Sequence, residues 1–363
     1  MLLCYWCFGY GAWLCLALML AAGIIAHHQK LSALLAAGIL LLPATQYPAT
    51  TWWSKPDLDR EYVLSLDVEH YFGNIQKMRK HLETDRQILW VTYYRNLYNA
   101  THPSEINSPV SLSRNLLAWN QPGTNGLILP VNPSASFLSI LFANELWFTL
   151  GDMTMAEHCA MLSMIFSPRN SGSRMIKRLA EINLVNGDDE AALKYLRILD
   201  KTLLHKSWAE KRIPGQQTPR VKEWLEKKRR DIPTQDHLRS GNDAVTSLRN
   251  LVASNAGNLR AYEYLLCYHL LSKDLRSFVE DYVPGKVSSS IFAEALLIHL
   301  ARQGNIRAEE LIKYQIPVKV AKEFADYTRL YEAKDTSLKE KYGKTYWFYY
   351  HFATTEPGKE SKP

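Results

Sequence analysis

The chain has 363 residues and a formal net charge of +7, from 43 lysines and arginines against 36 aspartates and glutamates. This length allows two domains or one long helical solenoid. Only 17 glycines accompany 20 tyrosines and 10 tryptophans, a balance that favours helices over a β-rich fold. Three of the five cysteines lie in the first apolar run, and Cys159 and Cys267 stand in separate predicted helices, so no disulfide framework is implied.

The N-terminus is strongly apolar. Leu2–Ile25 contains no charged side chain and is long enough to cross a bilayer of roughly 30 Å. A second apolar run, Leu31–Tyr47, precedes Trp52 and Trp53, which stand where an interfacial aromatic belt belongs. We therefore predict a transmembrane hairpin over residues 1–53, integral to the cytoplasmic (inner) membrane. The flanking charges nearly cancel, so the side of the soluble domain is undetermined, with a lean toward the periplasm. A cleaved signal peptide and two buried soluble helices are the alternatives.

Residues 54–121 are predicted to form an N-terminal helical segment. Apolar residues there recur at intervals of three and four, and Gly73-Asn74 separates two of the helices. Another helix is predicted from Ile88 to Tyr98, and a short one from Ser108 to Asn120. The prolines and glycines of residues 121–133 then predict a loop, which marks the boundary with the next domain.

Two consecutive helical hairpins are predicted between Ser134 and Leu204, with turns at Gly151 and Gly187. The turns are 187 − 151 = 36 residues apart. Each glycine suits the left-handed conformation that ends many helices. Asp152 and Asp188 follow directly and can cap the second helix of each hairpin. A small residue, Ala156 or Ala192, lies five positions after each glycine and allows the two helices to approach closely.

This pattern resembles tetratricopeptide (TPR) repeats, whose period is about 34 residues. The matching positions are Ile140, Ala143, Trp147, Gly151, Ala156 and Pro168 in the first unit, and Ile176, Leu179, Ala180, Gly187, Ala192 and Leu196 in the second. The chain departs from the TPR pattern at Asn144, Asn183 and Leu204. The whole chain is also similar to an uncharacterised family of bacterial membrane proteins in its N-terminal apolar runs, its LAEINLVNG helix and its TYWFYYHF C-terminus.

A charged segment follows the second hairpin, from Ser207 to Pro233. Within it, Val221–Arg230 carries five basic residues together with Glu223 and Glu226. A helix that touches anionic lipid or nucleic acid is one interpretation. We favour a solvated outer helix face, because the glutamates can pair along the helix and no nucleic-acid-binding motif accompanies the charge.

Two more hairpins and an aromatic terminus complete the predicted architecture. The third hairpin turns at Ser272–Asp274, and the fourth spans Ser290–Tyr314 with a turn at Gly304-Asn305. With a helix from Val318 to Ala333, they extend the TPR-like repeat domain over residues 134–333. Residues 334–353 are predicted to form an aromatic cap over the open end of the helical stack. A docking motif for a partner or the membrane interface is the alternative. Residues 354–363 are predicted to be a disordered tail.

The predicted fold is therefore all-α: a transmembrane hairpin followed by an α-solenoid of TPR-like hairpins. In such solenoids the first helix of each unit lines a concave groove. This would place Arg174, Lys177 and Arg178 on or near the groove, with Glu181 beside them. They are candidates to receive an acidic segment or a peptide carboxylate of a protein partner. We predict a membrane-anchored scaffold for protein–protein interaction in the bacterial cell envelope.

The alternative is the accessory C-terminal part of a multi-span membrane transferase that acts on an envelope or lipid-linked substrate. Against it, neither apolar run carries an acidic residue, and intramembrane charges mark such sites. The sequence contains no HExxH, no paired CxxC and no aspartate-rich calcium loop. We therefore predict no catalytic residue, cofactor, metal or nucleic-acid partner.

Overall fold

The computed structural model describes residues 55–83, 86, 88–101, 112–124, 126–131, 135–166, 172–235 and 243–353. Within these ranges all regular secondary structure is α-helical, which confirms the all-α part of the prediction. The chain divides after Gly73 into two compact units. The predicted tail at residues 354–363 lies outside the described residues.

The first unit contributes the helix α1 (Lys55–Tyr71). Its end is marked by Gly73, whose backbone has a φ of +70°. Glycine enters this left-handed region without the steric cost that a Cβ atom brings. The turn predicted at Gly73-Asn74 is therefore confirmed.

The second unit begins with α2 (Ile75–Leu82), α3 (Leu89–Thr101) and α4 (Leu112–Trp119). Helix α3 is buried along most of its length, and its Tyr93 and Leu97 are fully enclosed. Arg95 Nε donates to the Leu82 carbonyl oxygen at 3.0 Å. That carbonyl belongs to the last turn of α2, where helix carbonyls lack partners within their own helix. The arginine therefore joins α2 to α3.

The two central hairpins are confirmed as α5 (Phe137–Leu150) with α6 (Met153–Ile165), and α7 (Ser173–Asn186) with α8 (Asp189–Asp200). Gly151 and Gly187 end the first helices with φ of +93° and +82°. Asp152 accepts a hydrogen bond from the Met155 N–H at 2.8 Å, and Asp188 accepts one from the Ala191 N–H at 2.9 Å. Local turn and capping chemistry thus accounts for both hairpins.

The turn of the first hairpin is also stabilised by residues that lie outside the hairpin. Asn258 Nδ2 donates to the carbonyl oxygens of Leu150 and Asp231 at 2.6 and 2.7 Å. A Cβ atom on Gly151 would lie 2.3 Å from the Asp231 carbonyl oxygen. Glycine at position 151 is therefore required both by its φ and by the close approach of residue 231.

Among the described residues, α8 is followed by α9 (Lys206–Glu210), α10 (Pro219–Arg229) and α11 (Ala244–Ser254). Helix α10 packs against α7. The predicted third hairpin is confirmed as α12 (Leu259–Leu271) and α13 (Leu275–Asp281), with α11 packed against α12. These contacts place residues after the second hairpin beside α7.

The two helices predicted on either side of the Gly304-Asn305 turn are confirmed as α14 (Ser290–Arg302) and α15 (Ala308–Lys313). The chain continues with α16 (Val318–Glu332), α17 (Leu338–Tyr342) and the aromatic helix α18 (Tyr346–Phe352). The Tyr346 and Tyr349 hydroxyls donate to the carbonyl oxygens of Leu270 and Leu271 at 2.9 and 2.7 Å. Helix α18 therefore satisfies carbonyl groups at the C-terminal end of α12.

The membrane prediction is corrected here. Among the residues that the structure describes, no helix is both long enough and apolar enough to cross a membrane. Helix α1, at 17 residues, carries charged side chains such as Arg60 and Asp67, whereas a spanning helix needs about 20 mostly apolar residues. The hairpin predicted at residues 1–53 lies outside the described residues. We withdraw the transmembrane fold, the integral-membrane partner and the inner-membrane location with its periplasmic lean.

Candidate partner-binding site

The four predicted partner-binding residues lie together on α7. Arg174, Lys177, Arg178 and Glu181 are separated by three or four positions, and such positions are neighbours on a helix surface. All four side chains are half-buried. Their side chains contact residues that precede α7 in the sequence and residues that follow it. These contacts define the site.

Glu145 of α5 binds two of these cations. Its Oε1 lies 2.8 Å from Arg174 Nη2, and its Oε2 lies 2.5 Å from Arg178 Nη2. Glu145 is only 4% exposed, so these charges pair where water does not screen them well. Removing one partner of such a buried pair typically costs about 3–5 kcal/mol. The pair therefore joins the first hairpin to the second.

Arg178 makes further contacts that fix its guanidinium. Its Nη1 lies 2.9 Å from Glu181 Oε2, and its Nε donates to Asn144 Oδ1 at 2.8 Å. Asn144 in turn donates from Nδ2 to the Ala156 carbonyl oxygen at 2.7 Å. Asn144, a departure from the TPR pattern, thus holds both Arg178 and the crossing between α5 and α6.

The Phe148 ring supports two cations. The Arg178 guanidinium carbon lies 3.8 Å from the ring centroid, and Lys228 Nζ of α10 lies 4.5 Å from it. Lys228 also donates to the Phe148 carbonyl oxygen at 3.4 Å. Burial and the positive charges of Arg178 and Arg260 lower the pKa of Lys228 to about 8, and the negative charges of Asp231 and Glu181 oppose this shift. This end of the site therefore brings two cations onto one aromatic ring, beside the carboxylate of Glu181.

The Trp208 ring supports two more cations at the other end of the site. Lys177 Nζ lies 4.9 Å and the Arg212 guanidinium carbon 4.1 Å from its centroid. Cation–π contacts of this kind hold a cation against an aromatic face. Burial lowers the pKa of Arg212, the negative charge of Glu181 opposes that shift, and Arg220 reinforces it. Glu181 therefore acts on the cations at both ends.

We call this site the basic groove. It comprises five cations, two carboxylates and two aromatic rings: Arg174, Lys177, Arg178, Arg212 and Lys228, Glu145 and Glu181, and Phe148 and Trp208. Because cations outnumber carboxylates, the groove is suited to bind anionic groups. In the part of the chain that the structure describes, no group of three or more His, Cys, Asp or Glu could hold a metal ion.

Comparison with known proteins gives one result. Residues 30–353 match a family of unknown function, DUF6057. The chain belongs to this family. No curated protein and no solved structure matches it.

Several groove residues of this DUF6057 protein were missed by the sequence analysis. The basic run at residues 221–230 was interpreted as a solvated outer face. Lys222 and Lys227 are exposed, as that interpretation requires, but the Lys228 side chain points inward and contacts Phe148. Arg229 donates to the carbonyl oxygens of Leu184 and Val185 at 2.8 and 3.0 Å, at the end of α7. Only the apolar spacing of Val221, Trp224 and Leu225 signals that one side of α10 is buried.

Proposed function

We propose that this chain is a protein-binding scaffold built from TPR-like helical hairpins. Support for the repeat type comes from α5–α6 and α7–α8, which share a left-handed glycine at the end of the first helix and an aspartate cap on the second. Stacked hairpins of this type offer an extended concave surface to a partner. This proposal includes no membrane anchor.

The partner that fits the basic groove is an acidic peptide segment. The observation that carries this proposal is the placement of Arg178 and Lys228 against the same Phe148 ring, where burial and then the charge of Arg178 lower the pKa of Lys228. A bound carboxylate would relieve this repulsion and would form charge-assisted hydrogen bonds with the same cations. Aspartate and glutamate side chains supply carboxylates in the spacing of a peptide.

The contacts of each cation decide which substitution tests this proposal. Arg174→Glu would place a second negative charge beside buried Glu145 and would damage the fold. Lys177→Glu is the better variant, because Lys177 contacts the Trp208 face rather than Glu145. We expect it to weaken binding of a labelled aspartate/glutamate-rich peptide about tenfold in fluorescence anisotropy, equivalent to roughly 1.4 kcal/mol.

Lys222→Glu is the matched control, because Lys222 is an exposed lysine on α10 and the substitution makes the same change in net charge. We expect it to leave binding nearly unchanged. Affinity should also fall as sodium chloride is raised, since salt screens these contacts. Equal binding of a lysine-rich peptide, or equal loss in both variants, would rule out the groove as the binding site.

A further inference from the structure

A second candidate site lies among α4, the start of α14 and the loop between α17 and α18. It is a cavity of about 390 Å³. Small-molecule sites are typically clefts of roughly 300–1,000 Å³ with a few polar groups that fix the ligand's orientation. None of its lining residues belongs to the basic groove.

Glu294 supplies a negative group to the cavity wall. Its Oε2 accepts a hydrogen bond from the Tyr346 N–H at 2.6 Å, so the carboxyl is held at the start of α18. Burial and the negative charge of Glu323 raise the pKa of Glu294 to about 7, and the Tyr346 hydrogen bond opposes this shift. A partly buried carboxyl in a cleft is a common mark of a binding site.

Arg114 and Lys344 supply positive groups to the same wall. Both residues are exposed, Arg114 on α4 and Lys344 on the loop before α18. Arg114 also acts on the buried carboxyl of Glu263 on α12, where its charge opposes the rise in pKa that burial causes. Burial, the Tyr346 hydrogen bond and Glu323 shift the pKa of Glu294, whereas Arg114 and Lys344 do not contribute to that shift. The cavity therefore carries opposite charges at separate positions.

Apolar side chains complete the lining. Leu117 and Ala118 come from α4, and Ile291 comes from the first turn of α14. A ligand that complements this wall carries an ammonium group, an anionic group and a short apolar portion. We propose that this cavity binds a small zwitterion of the α-amino-acid class. Its ammonium pairs with Glu294, its carboxylate pairs with Arg114 and Lys344, and its side chain packs against the apolar residues.

The test begins with thermal unfolding of the full chain in the presence of each common L-α-amino acid. We expect those with short apolar side chains, such as L-leucine, to raise the unfolding temperature most. Calorimetric titration then compares L-leucine with isocaproate, which lacks the ammonium, and isopentylamine, which lacks the carboxylate. L-Leucine should bind about tenfold more tightly than either fragment, because each fragment loses one charge contact.

Two variants assign the contacts. Glu294→Gln keeps an oxygen acceptor for the Tyr346 N–H and should weaken L-leucine about tenfold while leaving isocaproate unchanged. Lys344→Ala should weaken L-leucine and isocaproate but not isopentylamine. Glu309→Gln and Lys322→Ala, exposed residues outside the cavity lining, should change neither.

The proposal is overturned if no amino acid raises the unfolding temperature. It is also overturned if one fragment binds as tightly as L-leucine, because a single-charge site is then sufficient. Unchanged L-leucine affinity in Glu294→Gln would likewise exclude the assignment of the ammonium.

Discussion

Glu145 is the residue that limits which cations of the basic groove are available to a partner. It holds Arg174 and Arg178, so these two cations first serve the contact between hairpins. The sequence correctly predicted that the four α7 residues lie together, because helical spacing depends only on positions close in the sequence. The sequence could not reveal that Glu145 would reach them, because that pairing depends on how two hairpins stack. Phe148, Trp208 and Lys228 were missed for the same reason.

The buried ammonium of Lys228 lowers the stability of the folded chain. The pKa of this group is lowered to about 8 in the folded state, and that of an unfolded lysine is about 10.4. The unfolded chain therefore holds more protons between these values, and the free energy of unfolding rises with pH across them. We expect Lys228→Met to be the more stable protein at pH 7, with the difference shrinking by about 2 kcal/mol toward pH 10.

Urea unfolding of both proteins across this pH range measures the effect. The difference between them isolates Lys228, because all other titrating groups are shared. Lys227→Met, at an exposed neighbouring position, should show no such pH dependence. A stability difference that stays constant with pH would contradict the prediction.

At the scale of elements, the turns and helix caps could be predicted from the sequence, whereas contacts between distant helices could not. The α5–α6 and α7–α8 turns were predictable because glycine and aspartate act within a few residues. Helix α11 was missed, although Asp243 caps it by accepting hydrogen bonds from the N–H groups of Val245 and Thr246. That cap was the available signal. The contact of α10 with α7 joins distant segments, which no local pattern encodes.

Tyr93 of α3 contacts the backbone of α5. Its hydroxyl donates to the Phe142 carbonyl oxygen at 2.6 Å and accepts from the Leu146 N–H at 3.1 Å. These two groups stand at positions i and i+4 of one helix. The hydroxyl therefore contacts both the acceptor and the donor of one backbone hydrogen-bond pair of α5. We expect Tyr93→Phe to lower the free energy of unfolding by about 1–2 kcal/mol, as buried hydrogen-bond losses do.

Chemical denaturation monitored by circular dichroism measures this change. Tyr195→Phe is the comparison, since Tyr195 is a partly buried ring that packs on two core clusters to which α7 contributes. Its substitution should alter stability by no more than about 0.5 kcal/mol. Equal effects of the two substitutions would show that the Tyr93 hydroxyl contributes nothing specific.

At the scale of the whole molecule, the ends of the sequence were the hardest to predict. Apolar length at residues 1–53 indicated membrane spans, but no described helix meets the criterion for crossing a membrane. The aromatic C-terminus was predicted to be buried from composition alone. Its partners were not predictable, because Tyr346 reaches Leu270 across 76 residues.

Trp347 is the central packing residue of this C-terminal region. It is 1% exposed, and its Nε1 donates to the Glu294 carbonyl oxygen at 3.0 Å. Its ring contacts Phe324, Tyr327 and Tyr342 from α16 and α17. We expect Trp347→Ala to lower the free energy of unfolding by about 3–5 kcal/mol, because it leaves a large cavity.

Phe352→Ala on the same helix is the control. Phe352 is 49% exposed, so its loss should cost less than about 1 kcal/mol. Thermal and urea unfolding of both variants compare the two positions. A loss for Trp347→Ala as small as for Phe352→Ala would mean that α18 adds little to the core.

The surroundings of Gly151 bear on whether the hairpins are interchangeable modules. Gly187 occupies the same place in the second hairpin, and a Cβ atom there would meet nothing within 4 Å. At Gly151 the Asp231 backbone already fills that space. A repeat unit grafted from elsewhere would therefore fit at the second turn more readily than at the first. The two hairpins look alike in sequence, but only the turn at Gly151 is packed closely enough against other backbone to exclude a side chain by contact.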